Sequence, residues 1–197
     1  IDELHVNKTY PTAQAVIGDA KFALQALTAE MSAKTSGNGR PAGKVAAEVK
    51  SVRESAMVKY REAMASTEKP INPYKVYAGL MEALDPHNSF LTHESGNTRD
   101  QLSTVYDTLV PRAFLGWGNV SSLGFSFAAT IAAKLSFPEK QCVAVTGEAG
   151  LGYMLGQLEV ALRQKIGITV VHVSNGGFGG CGTCLLYPTH AFYVIFS

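Results

Sequence analysis

Two glycine-rich segments of the sequence carry the side chains best suited to chemistry. Gly147-Glu148-Ala149-Gly150-Leu151-Gly152 follows one apolar run, and Ser174-Asn175-Gly176-Gly177 follows another. Glycines at a turn before a helix leave backbone N–H groups facing outward, which suits a phosphate group. A carboxylate such as Glu148 would repel a diphosphate unless a divalent cation lay between them. The Asn175 amide and backbone carbonyls are further oxygen donors of the kind that Mg²⁺ prefers. The two segments together therefore predict a site for a magnesium-bridged diphosphate.

The spacing of the glycines disagrees with the pattern that binds dinucleotides. Gly147, Gly150 and Gly152 do not fit Gly-x-Gly-x-x-Gly. That pattern also expects an acidic residue at the end of the following strand, where this sequence has Ser174-Asn175. A nicotinamide-binding Rossmann domain is therefore kept only as a less favoured alternative.

Positioning the two segments side by side requires a sheet whose strands end at one edge. The residue patterns predict helices at 20–31, 44–64, 73–84, 97–106, 123–134 and 152–165, and strands at 89–92, 112–117, 141–146, 168–173 and 192–197. Continuous apolar strands that alternate with helices indicate the α/β class, a parallel sheet covered by helices on both faces. Such sheets bind ligands at the carboxyl ends of their strands, so we expect the site in the loops after Thr92, Thr146 and Val173.

Composition narrows the classes of function. The chain has 197 residues, 46% of them hydrophobic, and a net charge of +1. That balance gives no general attraction to nucleic acid or to an acidic membrane surface, so we expect neither as a partner. The sequence has no apolar run of the roughly 18 residues that a membrane-spanning helix needs. Its three cysteines are few, and an odd number of them cannot all pair, so a disulfide framework is not expected. This favours a reducing, cytoplasmic location.

The two segments and their surroundings resemble a known family. Gly147-Glu148-Ala149-Gly150 followed by Ser174-Asn175-Gly176-Gly177 is similar to the thiamine-diphosphate fingerprint, usually Gly-Asp-Gly and then Asn-Asn. Leu158–Arg163, Ile168–Val171 and Leu123–Ala129 also resemble segments of acetolactate synthase-like enzymes. The resemblance implies the diphosphate-binding domain of a thiamine-diphosphate enzyme, with thiamine diphosphate and Mg²⁺ as cofactors.

Carried over residue by residue, the resemblance assigns roles to ten positions. The metal ligands would be the Glu148 carboxylate, the Asn175 amide and the Gly177 carbonyl. The remaining cofactor-binding positions would be Gly147, Ala149 and Gly150 on the diphosphate, Gly96 and Asn97 on its far side, Ser121 through its carbonyl on the aminopyrimidine, and Leu123 as the wedge between the two rings. No residue of the chain is assigned a catalytic role.

The sequence departs from the family fingerprint at three positions. Glu148 occupies the position of the family's aspartate, whose side chain is one methylene shorter. Ser174 replaces the first asparagine of the Asn-Asn pair. Ala149 replaces a glycine, which is acceptable only if its φ is negative. Beyond Gly180 the likeness ends in Cys181-Gly182-Thr183-Cys184, a pair interpreted as incidental rather than as a zinc or redox site because no second pair accompanies it.

The resemblance also divides the chain. It implies that residues 1–35 are the tail of a central domain, that 36–69 form a linker and charged helix, and that 70–197 are the diphosphate domain, truncated at its C-terminus. Because the chain begins with Ile1 and ends in an apolar run, we expect a fragment of a longer protein. The parent would be a homodimer or homotetramer.

The implied function belongs to that parent. Family members act on a 2-oxo acid or a related carbonyl, by decarboxylation or carboligation, and the sequence leaves decarboxylase, carboligase and acyltransferase open. A glutamate on a separate pyrimidine-binding domain is indispensable in the family, so we expect this chain alone to be inactive. The alternative is a non-catalytic interaction module whose cofactor site has decayed. His93 is interpreted as a surface residue in preference to an acid/base group that faces the cofactor.

Overall fold

The computed structural model describes residues 3–35, 43–175 and 190–196, and for the last of these ranges it describes the backbone alone. The chain forms two compact units, residues 1–53 and residues 54–197. The domain boundaries expected at 35 and 69 remain predictions.

The first unit contains a 3₁₀ turn (Glu3–His5) and helix α1 (Ala20–Lys34). Asp19 caps α1, because its Oδ1 accepts from the backbone N–H groups of Lys21 and Phe22 at 2.9 and 3.3 Å. The side-chain cap satisfies donors that have no partner within the helix. Helix α2 (Gly43–Met64) includes residues of both units.

The second unit alternates helices and strands. In chain order they are α3 (Pro73–Ala83), β1 (Ser89–His93), α4 (Asn97–Val105), β2 (Phe114–Leu115), α5 (Phe125–Ser136), β3 (Gln141–Thr146), α6 (Glu148–Met154), α7 (Gln157–Arg163), β4 (Ile168–Ser174) and β5 (His190–Phe196). The alternation predicted from the sequence is therefore confirmed over residues 73–174.

The strands form one sheet in the order β2-β1-β3-β4-β5. The first four strands are parallel, and β5 runs antiparallel to β4. His93 lies opposite Val145 on β3, and Thr146 lies opposite His172 on β4. The carboxyl ends of β1, β3 and β4 consequently lie level at one edge of the sheet.

Both faces of the sheet are covered, because alternate residues of each strand point to opposite sides. One face packs against α3 and α4 through Leu91, Val143, Val145, Val171 and Val173. The other face packs against α5, α6 and α7 through Phe90, Cys142, Ala144, Ile168 and Val170. The predicted α/β class, a parallel sheet between two helical layers, is confirmed, with β5 as an added antiparallel strand.

One predicted helix, at 152–165, is wrong as a single element, because the structure has α6 and α7 in its place. Leu155 and Gly156, which connect α6 and α7, keep right-handed helical backbone angles. The N–H groups of Leu158 and Glu159 donate three residues back, to the carbonyls of Leu155 and Gly156. Glycine is a weak helix former, so the α-helical bonding gives way here to a 3₁₀-type turn.

None of the helices within residues 3–35 and 43–175 is both long enough and apolar enough to cross a bilayer.

Candidate functional site

Four segments meet at the carboxyl edge of the sheet, and they are named here the edge loops. They are residues 94–97 after β1, residues 121–124 before α5, residues 147–150 after β3, and residues 174–175 at the end of β4. Nine of the ten site positions predicted from the sequence lie in these loops. The tenth, Gly177, lies outside the described residues, as do Cys181 and Cys184.

The predicted metal carboxylate lies directly against the end of β4. Oε1 of Glu148 accepts from the Ser174 hydroxyl at 2.6 Å and from the Asn175 backbone N–H at 2.8 Å. Charge-assisted bonds of this length are among the stronger hydrogen bonds in proteins. They fix the orientation of the Glu148 side chain and hold the two glycine-rich segments together.

The start of α6 accommodates the departures from the usual glycine pattern. Glu148 is the first residue of α6, where the positive end of the helix dipole favours a carboxylate. Ala149 is helical and is not among the residues with positive φ, so its methyl group causes no backbone strain. The condition that the sequence set for an alanine at this position is therefore met.

Helix α4 begins at the second pair of predicted positions. Gly96 is its N-cap with φ +90° and ψ −146°, and it provides no side-chain cap. Asn97 is the first residue of the helix. Only glycine adopts this backbone region readily, and the uncapped helix start offers N–H groups to an anion.

Residues 121–124 lie between the first loop and α6. Ser121 has φ +60°, and its hydroxyl lies 2.5 Å from that of Ser95. A Cβ placed on Gly124 would lie 2.4 Å from Cγ of Met154 on α6. Leu123, the predicted wedge, is 41% exposed at the surface of this edge. The three loops that carry Ser95, Ser121 and α6 are therefore packed against one another.

Glu94 is a buried residue at this edge to which the sequence interpretation gave no separate role. The residue is 1% exposed, and its Oε1 accepts from the Ser95 backbone N–H at 2.9 Å. Oε2 accepts from the Ser126 hydroxyl at 2.9 Å and from the Ser126 N–H at 3.4 Å. An acidic residue directly after a buried strand, at the ligand-binding edge of a parallel sheet, was the signal in the sequence.

The interpretation of His93 as a surface residue is wrong. The side chain is 7% exposed, its ring lies 5.1 Å from that of Phe114, and its Nδ1 lies 3.3 Å from the Glu94 carbonyl oxygen. Burial lowers the pKa of His93, and the nearby Arg99 lowers it further, against the opposing effect of Glu94. The pairing of β1 with β3 continues to His93, the last residue of β1, and this residue is therefore buried with the rest of the strand.

The site has few acidic groups. Within residues 3–35 and 43–175 no group of three or more His, Cys, Asp or Glu side chains could hold a metal ion. A cation at this edge would therefore have at most two such side chains as ligands, beside neutral oxygen donors. That composition suits Mg²⁺, which commonly takes one or two carboxylates and completes its octahedron with phosphate oxygens and water.

Residues 94–193 match the family model described as thiamine pyrophosphate enzyme, C-terminal TPP binding domain. The match covers half of the chain and contains every edge loop. The chain belongs to the thiamine-diphosphate enzyme family. The cofactor of its matched domain is thiamine diphosphate, and the nicotinamide alternative is set aside.

Relatives in this family agree with an acetolactate synthase-like origin. A probable acetolactate synthase large subunit of Methanocaldococcus jannaschii is 27% identical over 87% of the chain and 28% of that protein. The 2-hydroxyacyl-CoA lyase 1 of Mus musculus is 30% identical over 59% of the chain and 21% of that protein. The oxalyl-CoA decarboxylase of Escherichia coli is 22% identical over 90% of the chain and 31% of that protein. The chain spans less than a third of the length of each of these relatives.

Proposed function

We propose that the edge loops bind the diphosphate of thiamine diphosphate together with Mg²⁺, as the cofactor-binding portion of an acetolactate synthase-like enzyme. The observation that carries the proposal is the contact between Glu148 and Asn175 inside the matched domain. It joins the two segments of the fingerprint at the sheet edge where parallel α/β folds bind their ligands.

The donor set fits the cofactor. The Glu148 carboxylate and the Asn175 amide would hold Mg²⁺, and the carbonyl of Gly177 would be a third ligand. The backbone N–H groups at 147–150 and at the start of α4 would receive the diphosphate, because both helices begin at a glycine without a side-chain cap. The Ser174 hydroxyl keeps the carboxylate of Glu148 in place.

The remaining positions would orient the organic part of the cofactor. The backbone carbonyl of Ser121 would accept a hydrogen bond from the amino group of the aminopyrimidine ring. The exposed Leu123 would pack between the two rings of the cofactor. When bound, thiamine diphosphate supplies the electron sink for a carbanion formed beside a carbonyl. The protein supplies the binding and the orientation.

The reaction proposed for the parent enzyme is decarboxylation or carboligation of a 2-oxo acid. Support comes from relatives whose names describe a synthase, a lyase and a decarboxylase. The chain alone would be inactive, because the glutamate that the family uses to activate the aminopyrimidine lies on a separate domain. Release of CO₂ from a 2-oxo acid by the isolated chain would contradict this part of the proposal.

The parent is proposed to be a homodimer or homotetramer that covers this edge of the domain. Val120 precedes the loop 121–124, and Tyr153 and Leu155 flank Met154, whose side chain lies against Gly124. These three side chains are 80, 72 and 55% exposed. Apolar side chains grouped at a surface in this way are typical of protein–protein contacts. Light scattering on the parent protein measures its mass directly, and a monomer would contradict the assembly.

Calorimetric titration of the chain with thiamine diphosphate in the presence of Mg²⁺ tests the site. Mutation of residues that merely support a metal ligand costs about 10- to 100-fold in affinity, so Glu148→Ala is expected to cost at least about 100-fold. Glu159→Ala is the matched control, because Glu159 is exposed on α7 and pairs with Arg163. Its affinity should stay within about twofold of the wild-type value.

Two outcomes would contradict the proposed site. Equal affinity of Glu148→Ala and wild type would remove Glu148 from the metal site. Absence of wild-type binding at millimolar cofactor would favour the non-catalytic module with a decayed site.

A further inference from the structure

We propose that Glu94 is a positioning residue that holds three edge loops, 94–97, 121–124 and 147–150, in the arrangement that receives the cofactor. This inference rests on the proposed function of the edge. Glu94 is not assigned to the cofactor or to the metal.

Contacts of the Glu94 side chain reach two of these loops and the first turn of α5, which directly follows the third. Its carboxylate accepts from the Ser95 N–H in its own loop and from the hydroxyl and N–H of Ser126, in the first turn after Gly124. It also lies against the first turn of α6, because a Cβ on Gly150 would come within 2.5 Å of its Cδ and Oε2. One side chain therefore contacts two loops that contain six of the ten proposed site residues, and the first turn of α5, which follows the loop that contains two more.

The main chain of Glu94 is equally constrained. Its N–H donates to the Val145 carbonyl at 2.9 Å and so extends the pairing of β1 with β3. Its carbonyl accepts from the Thr98 hydroxyl of α4 at 3.3 Å. The carboxylate therefore projects from a fixed backbone, and its position defines where Ser126 and Gly150 can lie.

The charge of Glu94 makes this arrangement cooperative. Within the described residues the carboxylate forms no salt bridge, so its hydrogen bonds to Ser95 and Ser126 compensate for the loss of water. A buried carboxylate that loses a donor is strongly unfavourable. Loss of one donor while the carboxylate stays buried would be unfavourable, so the loop 94–97 and the first turn of α5 are expected to stay in place together.

The position of Gly150 fits the same role. Because Gly150 has no side chain, the first turn of α6 approaches the carboxylate closely, and Glu148 and Ala149 immediately precede it. A displacement of Glu94 would therefore be transmitted to the proposed metal ligand and to the N–H groups next to it. Small displacements of groups that must be accurately positioned can greatly reduce the activity that depends on them.

The experiment compares Glu94→Gln with Thr130→Val in the full chain. The first variant keeps the size of the side chain but turns an N–H group toward one of its donors. Thr130 is the control, because it is also fully buried and bonds Thr92 of β1 at 2.7 Å, one turn further along α5 from Ser126. Both changes disturb a buried polar contact between β1 and α5, and only the first lies at the edge loops.

Two readouts are measured for both variants. Calorimetry with thiamine diphosphate and Mg²⁺ should show an affinity loss of about 10- to 100-fold for Glu94→Gln and of less than about twofold for Thr130→Val. Amide hydrogen exchange without cofactor should accelerate at 121–126 and 147–150 in Glu94→Gln only. A merely structural role of Glu94 would lower the melting temperature of both variants and leave the affinity of the folded protein unchanged.

Ser126→Ala is the second variant, and it decides the test if Glu94→Gln does not fold. It removes only the hydroxyl that donates to Oε2. If the two residues act as one unit, the double variant should bind no more weakly than the weaker single variant. Additive losses would overturn the linkage through Ser126.

The failures of the two proposals are distinguishable. No binding by the wild-type chain overturns the proposed function, and the role of Glu94 toward the cofactor with it. Wild-type binding with unchanged affinity and unchanged exchange in Glu94→Gln and Ser126→Ala overturns the role of Glu94 alone.

Discussion

Replacing Gly150 by alanine should destabilise the protein, although alanine is the better helix former. Gly150 is buried in α6, and a Cβ there would lie 2.3 Å from Cγ of Glu94 and 2.5 Å from its Cδ. Carbon atoms in contact are normally separated by about 3.5–4.0 Å. The methyl group would therefore displace Glu94 or the first turn of α6 by about 1 Å or more.

The expected magnitude follows from two opposing effects. Overpacking of this kind costs about 1–3 kcal/mol, and the exchange of glycine for alanine inside a helix returns up to about 1 kcal/mol. The 2.3 Å approach to a hydrogen-bonded side chain places the cost in the upper part of that range, about 2–3 kcal/mol, so we expect a net loss of about 1–2 kcal/mol in the free energy of unfolding. For a protein of this size that lowers the melting temperature by about 2–8 °C.

Gly152→Ala is the matched control. Gly152 lies in the same helix, and a Cβ there would meet no atom within 4 Å. The same change of composition should therefore raise the melting temperature by about 2–4 °C through helix propensity alone.

Thermal unfolding followed by circular dichroism, with urea titration as a second measure, compares the two variants. A Gly150→Ala protein that melts at or above wild type, or that matches Gly152→Ala, would refute the close packing of α6 on Glu94.

Two further predictions concern the same edge. Ser174→Ala removes the 2.6 Å donor to Glu148, so the Mg²⁺-dependent affinity for thiamine diphosphate should fall about tenfold by calorimetry, and unchanged affinity would count against the orienting bond. Burial lowers the pKa of His93 in the folded state, so the unfolded chain binds the proton first and stability should fall as pH drops below about 6.5. Urea unfolding at pH 7 and pH 5 should show a smaller loss in His93→Gln than in wild type, and an equal loss would contradict the burial of the histidine.

Much of the fold was predictable because its signals are local in the chain. The apolar runs at 141–146 and 168–173 have the length and composition of buried strands, and the intervening glycines mark a turn. The structure confirms both strands and their parallel pairing. The helix predicted at 152–165 was wrong as a single element, because α6 already starts at Glu148, within the segment interpreted as a turn, and the chain leaves the α-helix at Leu155 and Gly156 before α7.

The candidate site was predictable in part for the same reason. Glu148 and Asn175 stand in a recognisable order within two glycine-rich segments, so their family resemblance is visible in the sequence alone. The resemblance also pointed to thiamine diphosphate, in agreement with the family match over residues 94–193. Which oxygens of these side chains hold the metal remains a prediction.

The sequence by itself determined the succession of helices and strands along the chain, because periodicity is a property of neighbouring residues. Its resemblance to a known family pointed to the cofactor of the domain. Only the tertiary structure decided that His93 and Glu94 are buried. Their environment is made by Ser126, 32 positions along the chain from Glu94, and by Gly150, further along still. Burial and hydrogen-bond partners arise from the packing of distant segments, and no local pattern at 93–94 distinguishes a solvated carboxylate from one enclosed by α5 and α6.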